Sequence, residues 1–291
     1  MKPALDARVS LALELTIFFW ASAFAGIRVA LESYSPGHVA LLRFLVASVA
    51  LVIYAVVRRM RLPELRDLPA VVLSGFLAFT VYHVALNYGE ITVSAGSASL
   101  LVSTAPIFTA LFAAAFLGER VGPLGWAGMG ISFLGAALIS LGEGGGFSLD
   151  PGALLVLLAA ISSAAYFVVS KPYLQKYTAL EFTTYAIWAG TILTLVFLAE
   201  LPAEIAAAPV RTTLTTIYLG LFPTAVAYIA YAYVLSRMPA SRTASFLYLV
   251  PAVALLVAWV WLGEVPPALS LIGGAIALAG VLLVNRYARR R

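Results

Sequence analysis

No cysteine occurs in the 291 residues, histidine occurs twice, and Lys, Arg, Asp and Glu together make up only 11% of the chain. Without cysteine there can be no disulfide, no thiolate metal site and no cysteine nucleophile. The two histidines, His38 and His83, stand apart from any candidate acid, and neither His-Glu-x-x-His nor Gly-x-Gly-Asp is present, which argues against an intramembrane enzyme. No Gly-Lys-Ser/Thr follows a glycine loop, so the chain drives nothing by ATP on its own. A charged fraction less than half the roughly 25% of soluble domains cannot coat a surface facing water. A cytosolic enzyme is excluded.

What the chain has is apolar length. Hydrophobic residues make up 63% of it, and the mean hydropathy is +1.00. Apolar runs of the length that crosses about 30 Å of hydrocarbon recur at roughly 9–29, 37–57, 68–88, 94–117, 123–141, 151–174, 180–199, 212–235, 240–262 and 266–285. They are continuous rather than alternating, and lipid forces each segment to satisfy its own backbone, so they read as helices. The first run is too long for a signal-peptide core and reads as a span. The expectation is an all-α polytopic membrane protein of ten transmembrane helices.

A net charge of +5 and a pI near 9.5 would suggest nucleic acid in a soluble protein. Here the basic residues lie in short loops, where they set orientation. With the N-terminus inside, the outer loops hold only Arg28 and Arg211, and Arg43 lies within a span; the other 15 of the 18 fall inside. Both termini are expected in the cytoplasm, the protein in the cell inner membrane. The expected contacts are the lipid bilayer and a small-molecule substrate, with no nucleic acid, cofactor or metal, and a monomeric chain.

The two halves match at a fixed offset of 145. Gly75 pairs with Gly220, Tyr88 with Tyr233, Pro106 with Pro251, Leu117-Gly118-Glu119 with Leu262-Gly263-Glu264, Gly128 with Gly273, and Gly135 with Gly280. Five spans per half is an odd number, so residues 1–145 and 146–291 form two inverted repeats, joined at the glycine hinge Gly142–Gly146. Inverted repeats of this kind place a substrate site around a central cavity near the bilayer midplane.

The same residues carry a resemblance. Ala85-Leu-Asn-Tyr-Gly89, Ser97-Ala-Ser-Leu-Leu101, Ala105-Pro-Ile107 and Leu117-Gly-Glu119, followed by Gly128 and Gly135, resemble the EamA module of the drug/metabolite transporter superfamily. Ala230-Tyr-Ala-Tyr-Val234, Val250-Pro251 and Leu262-Gly-Glu264, with Gly273 and Gly280, resemble a second copy. Trp20-Ala-Ser22 and Arg43-Phe44 resemble its first two helices. The resemblance implies ten helices around a cavity and export of small metabolites, closest to the aromatic and neutral amino-acid exporters.

Within the spans, candidate functional residues stand beside plainer readings. Pro106 and Pro251 kink symmetric helices, for gating or for packing. Gly118-Glu119 and Gly263-Glu264 read as helix-end anchors. Gly128-x-x-x-Ser132 and Gly273-x-x-x-Ala277 read as close helix contacts. Glu14 is a coupling carboxylate or an interfacial residue, and Arg43 binds a substrate carboxylate or a helix terminus. His83 and Asn87 share a helical face with Thr80, and His83 matches Tyr228, so this stripe lines a gate or cavity or bonds between helices. Trp20, Ser22, Thr80, Ser99, Ser103, Ser163, Tyr166, Trp188, Thr224 and Tyr248 lie near mid-depth. Trp and Tyr usually collect at the membrane interface, and aromatic walls with a few hydroxyls suit an apolar side chain with a small polar head. The expected activity is alternating-access export of small uncharged or zwitterionic metabolites, aromatic or neutral amino acids first. Other metabolites or drugs, purine-like or cationic, and a non-transport assembly role are the alternatives. Carriers of phosphorylated sugars would need more basic residues in the spans.

Overall fold

The computed structural model describes residues 6–118, 123–143 and 150–288, and every regular element among them is helical. Glu119, Arg120 and residues 144–146 of the glycine hinge lie outside the described residues. Eight helical stretches are long and apolar enough to cross a bilayer: α1 (Ala7–Ala30), α2 (Pro36–Val57), α3 (Leu65–Gly89), α4 (Ala95–Phe116), α6 (Pro151–Ser170), α7 (Ala179–Phe197), α8 (Val210–Arg237) and α9 (Ala240–Leu262). Between and after them run α5 (Pro123–Glu143) and α10 (Ala268–Ala288), each of 21 residues.

Local chemistry explains where the helices start and stop. Asp150 accepts from the Ala153 amide at 3.0 Å with Pro151 at the first helical position, and Thr178 and Glu181 form a capping box at the head of α7. Gly263 ends α9 at φ +69°, and Gly118, 145 residues earlier, has φ +71°. A side chain is strained there, which accounts for glycine in both Leu-Gly-Glu motifs.

Two pairs of helices depart from regular geometry at matching positions. In α3 a π-helical turn covers Phe76–Val81, and in α8 another covers Gly220–Val226. The second has a visible cause. Pro223 carries no N–H for the Leu219 carbonyl, and the Thr224 hydroxyl donates to that oxygen instead, at 2.8 Å. Likewise α4 is broken into Ala95–Val102 and Ala105–Phe116, and α9 runs as Ala240–Ala244, a 3₁₀ turn at Ser245–Leu249, and Val250–Leu262. The expected mid-span kinks are therefore breaks, and Pro106 and Pro251 each sit in the first turn of the second piece, where a missing N–H costs nothing.

Packing interleaves the halves. Helix α1 lies against α8 and α9, α6 against α3 and α4, α3 against α7, and α8 against α2. Two close crossings use the paired glycines: a Cβ on Gly75 would stand 2.7 Å from the Ala186 carbonyl oxygen, and one on Gly220 2.6 Å from that of Arg43. Helices α5 and α10 pack on each other, with Gly135 against Gly273 and Ala277.

Candidate functional site

The breaks in α4 and α9 face α1 and α6, and a small cavity opens among them. Trp20 and Phe24 come from α1, Tyr82 from α3, Tyr228 from α8, Ser163 and Phe167 from α6. The broken segments supply Ser99, Val102, Ser103 and Ala105 on one side, and Leu247 and Val250 on the other. Trp20 organises the wall: its ring stacks on Phe167 at 6.4 Å and meets Tyr228 and Tyr231 at 5.0 Å, while its Nε1 donates to the Pro223 carbonyl at 3.1 Å. That carbonyl lies in the π-turn of α8. The three serines donate back to their own helices, Ser99 to Gly96, Ser103 to Leu100 and Ser163 to Ala160. Each hydroxyl has only one proton, so what they offer the cavity is acceptor lone pairs.

A second, smaller chamber shares Trp20, Phe24, Tyr82 and Tyr228 with the first and adds Arg43, His83 and Leu86. Its polar groups are set by the two π-turns. The Ala78 carbonyl of the α3 turn accepts from His83 Nδ1 at 3.0 Å and Tyr228 Oη at 3.3 Å. Arg43 Nε donates to Thr224 Oγ1 at 3.0 Å, beside the α8 turn. Arg43 is 2% exposed, and its Nη1 has no hydrogen-bond partner.

Trp20, Ser99, Ser103, Ser163 and Tyr228 thus line the first chamber, and His83 and Arg43 the second. Others expected there lie elsewhere. Ser22 bonds to Tyr218 Oη at 2.6 Å, tying α1 to α8. Asn87 donates to the Pro36 carbonyl at 2.9 Å, tying α3 to α2. Thr224 stands behind Arg43, Thr80 is half-buried off the lining, and Trp188 packs beside Tyr185. Tyr166 is buried behind the wall between Phe79 and Tyr228, and Tyr248 packs against the Ile107 and Ala110 cluster of α4. For these two the depth matches but the helical phase does not: on α6 it is Ser163 and Phe167, one turn apart, that face inward. Glu14 is exposed on α1, roughly a quarter to a third of a turn away from Phe24 and Trp20.

The sequence reading set His38 apart from any acid, whereas its Nδ1 lies 2.6 Å from Glu204 Oε2; it also passed over Phe24, Tyr82, Phe167 and a charged cluster at one end of the bundle. There Arg28 Nε pairs with Glu264 Oε1 at 3.1 Å, and Glu264 Oε2 accepts from the Ala95 amide at 3.1 Å. Glu264 is a helix anchor, but for the head of α4 in the other half. Arg28 also donates through Nη1 to the carbonyl oxygen of Glu90. The Glu90 side chain itself is fully buried, with neither carboxyl oxygen partnered. Burial pushes this carboxyl well above the usual range; Arg28 and Arg43 oppose the shift and Glu264 adds to it.

Helical stretches long enough to cross a bilayer, enclosing a small aromatic cavity where two broken helices meet, define a membrane-embedded carrier in architecture. The chain belongs to the EamA-like transporter family, whose pattern matches residues 8–141 and again 150–286. It is 48% identical over 274 residues to the uncharacterized transporter YdfC of Bacillus subtilis, covering 94% of this chain and 90% of that one. It is 46% identical over 282 residues to a probable terminal-alkyne amino-acid exporter of Streptantibioticus cattleyicolor, covering 96% and 95%. The uncharacterized inner membrane transporter YedA of Escherichia coli K12 is 30% identical over 280 residues, covering 94% and 89%. A solved crystal structure superimposes with a TM-score of 0.67 over 97% of this chain and 98% of the other at 20% identity, a likeness of fold alone.

Proposed function

We propose that the protein is a secondary exporter of small neutral or zwitterionic amino acids, aromatic and other apolar ones foremost. It works by alternating access between two inverted five-helix repeats, residues 1–145 and 146–291. Ten helices span the cell inner membrane, with both termini in the cytoplasm. The observation that carries the substrate class is the first chamber: five aromatic side chains for an apolar group, and three serine hydroxyls with acceptor lone pairs for a small polar head. The relative named as an amino-acid exporter supports the same reading. The repeat is supported by features recurring 145 residues apart: the π-turns, the breaks before Pro106 and Pro251, and the positive φ of Gly118 and Gly263. A phosphorylated-sugar carrier fits poorly, because Arg43 is the single Lys or Arg lining either chamber among the described residues.

Efflux from proteoliposomes loaded with an amino-acid panel tests the substrate. Trp20→Ala and Phe24→Ala should weaken an aromatic substrate by roughly 1–3 kcal/mol, from lost burial and ring contact. Alanine or threonine, too small to reach the whole wall, should lose less. Tyr248→Ala, outside the wall, should leave relative efficiencies unchanged in protein of matched stability. Selectivity unmoved by either α1 substitution would put the substrate elsewhere.

Orientation is tested by single cysteines in the cysteine-free chain. Cysteine at Glu32 or Arg211, both exposed, should react with an impermeant reagent applied outside intact cells, and cysteine at Arg61 or Arg237 should not. Outside labelling at position 61 or 237 would overturn the ten-span arrangement.

A further inference from the structure

Arg43 is a cation 2% exposed, in the wall of a chamber where no Asp or Glu appears among the lining residues. Leaving a buried charge unpaired is expensive, and proteins either pair it or reserve it for a ligand. The Glu90 carboxyl acts on it only through space, with no hydrogen bond between them, and the groups around the guanidinium leave Nη1 unused. Thr224 Oγ1 takes only Nε, at 3.0 Å, and spends its own proton on the Leu219 carbonyl. His83 and Tyr228 both point their protons at the Ala78 carbonyl. Nη1 is left without a partner, on a guanidinium whose plane is fixed by the Thr224 bond. A planar donor fork held at one edge and open at another is matched by a carboxylate.

The adjoining chamber has the opposite polarity. The protons of Ser99, Ser103 and Ser163 are all used on backbone carbonyls, so those hydroxyls accept and do not donate. Accepting oxygens beside the faces of Trp20 and Tyr228 suit an ammonium, which aromatic faces also attract. Donors in one chamber, acceptors in the next, and a shared aromatic wall between them complement the two ends of a zwitterion.

Resting on the amino-acid reading above, we infer that Arg43 is the carboxylate-binding residue of the site, so that the substrate must carry a free carboxylate. Amides, esters and simple amines with the same side chain are then poor substrates. The inference separates free amino acids from the cationic and purine-like compounds that an aromatic cavity alone would also accept.

The test is competition by L-phenylalanine, L-phenylalaninamide, 3-phenylpropionate and phenethylamine, read as thermal stabilisation of the purified protein and as inhibition of efflux. Wild type should prefer the acid to the amide by about tenfold or more, the usual scale for a charge-assisted pair in a dry site. In Arg43→Gln the ratio should fall toward one through loss of acid affinity, with the amide unchanged. Thr224→Val, which frees the guanidinium without removing it, should reduce the ratio by a few-fold, and it provides the reading if Arg43→Gln does not fold. A wild-type ratio near one, or a ratio kept in both variants, overturns the assignment. If no amino acid is bound or moved, the functional proposal fails by itself. The Arg43 assignment is then decided by 3-phenylpropionate against phenethylamine: a preference for the acid that Arg43→Gln abolishes upholds it, and any other result overturns it.

Discussion

Gly75→Val and Gly220→Val are each expected to abolish transport and most of the yield of folded protein. At Gly75 the added Cβ would lie 2.7 Å from the Ala186 carbonyl oxygen and the Gly190 amide nitrogen of α7; at Gly220 it would lie 2.6 Å from the Arg43 carbonyl oxygen of α2. These obstacles are backbone, so no side-chain rotation relieves them and the helices must separate. Overpacking of this kind costs about 3 kcal/mol, and small residues at such crossings are what lets helices associate in lipid. The damage also reaches the site, because Gly75 precedes the π-turn whose Ala78 carbonyl holds His83 and Tyr228, and Gly220 follows the Leu219 carbonyl that holds Thr224. Gly130→Ala is the control: nothing lies within 4 Å of its Cβ position, and an alanine in an exposed helix should be neutral or slightly stabilising. Size-exclusion profiles in detergent and proteoliposome efflux give the comparison. Valine variants that fold and transport like the wild type would show that the crossings are not this tight.

The parts of this arrangement that were legible in the sequence are those set by chain-local physics. Every expected apolar run falls on a helix, because run length and the self-sufficiency of a helix in lipid leave no alternative. Gly118 and Gly263 marked helix ends, and Pro106 and Pro251 marked weak points in their helices. The π-turns were missed, although Pro223-Thr224 inside an apolar run carried a usable signal: a proline that deprives a carbonyl, followed by a hydroxyl able to satisfy it. Helical phase was harder. Tyr166 and Phe167 are adjacent on α6, and only the packing of α6 against α3 and α4 decides that Phe167 lines the cavity and Tyr166 stands behind it. Glu90 was hidden for a related reason. In sequence it follows the end of a span, where a carboxylate normally faces water; in the fold Arg28 binds its carbonyl oxygen and pairs with Glu264, contacts between residues far apart in the chain.

That burial leads to the second large effect, on the pH dependence of stability. Glu90 is fully buried with both carboxyl oxygens unpartnered, while the nearby cation Arg28 spends its Nε on Glu264 and its Nη1 on the Glu90 main chain. The folded protein therefore holds this proton to a higher pH than the unfolded chain does. Between those two values the folded state binds more protons, so stability is greatest at or below the ordinary carboxyl range and falls as pH rises toward the folded value. Each pH unit in that window removes about 1.4 kcal/mol, or about 3 °C or more in melting temperature. Glu90→Gln keeps the shape and removes the titration. It should melt above wild type at pH 7–8, and the two curves should converge near pH 4. Glu264→Gln should act in the opposite direction on overall stability, since it breaks the Arg28 pair and weakens the cap on Ala95. It should nonetheless flatten the pH slope, because it removes the like charge next to Glu90 and leaves Arg28 free to pair with it. Melting curves of the three proteins from pH 4 to 8 measure both effects, and parallel wild-type and Glu90→Gln profiles would mean that Glu90 is ionised and paired in the folded protein.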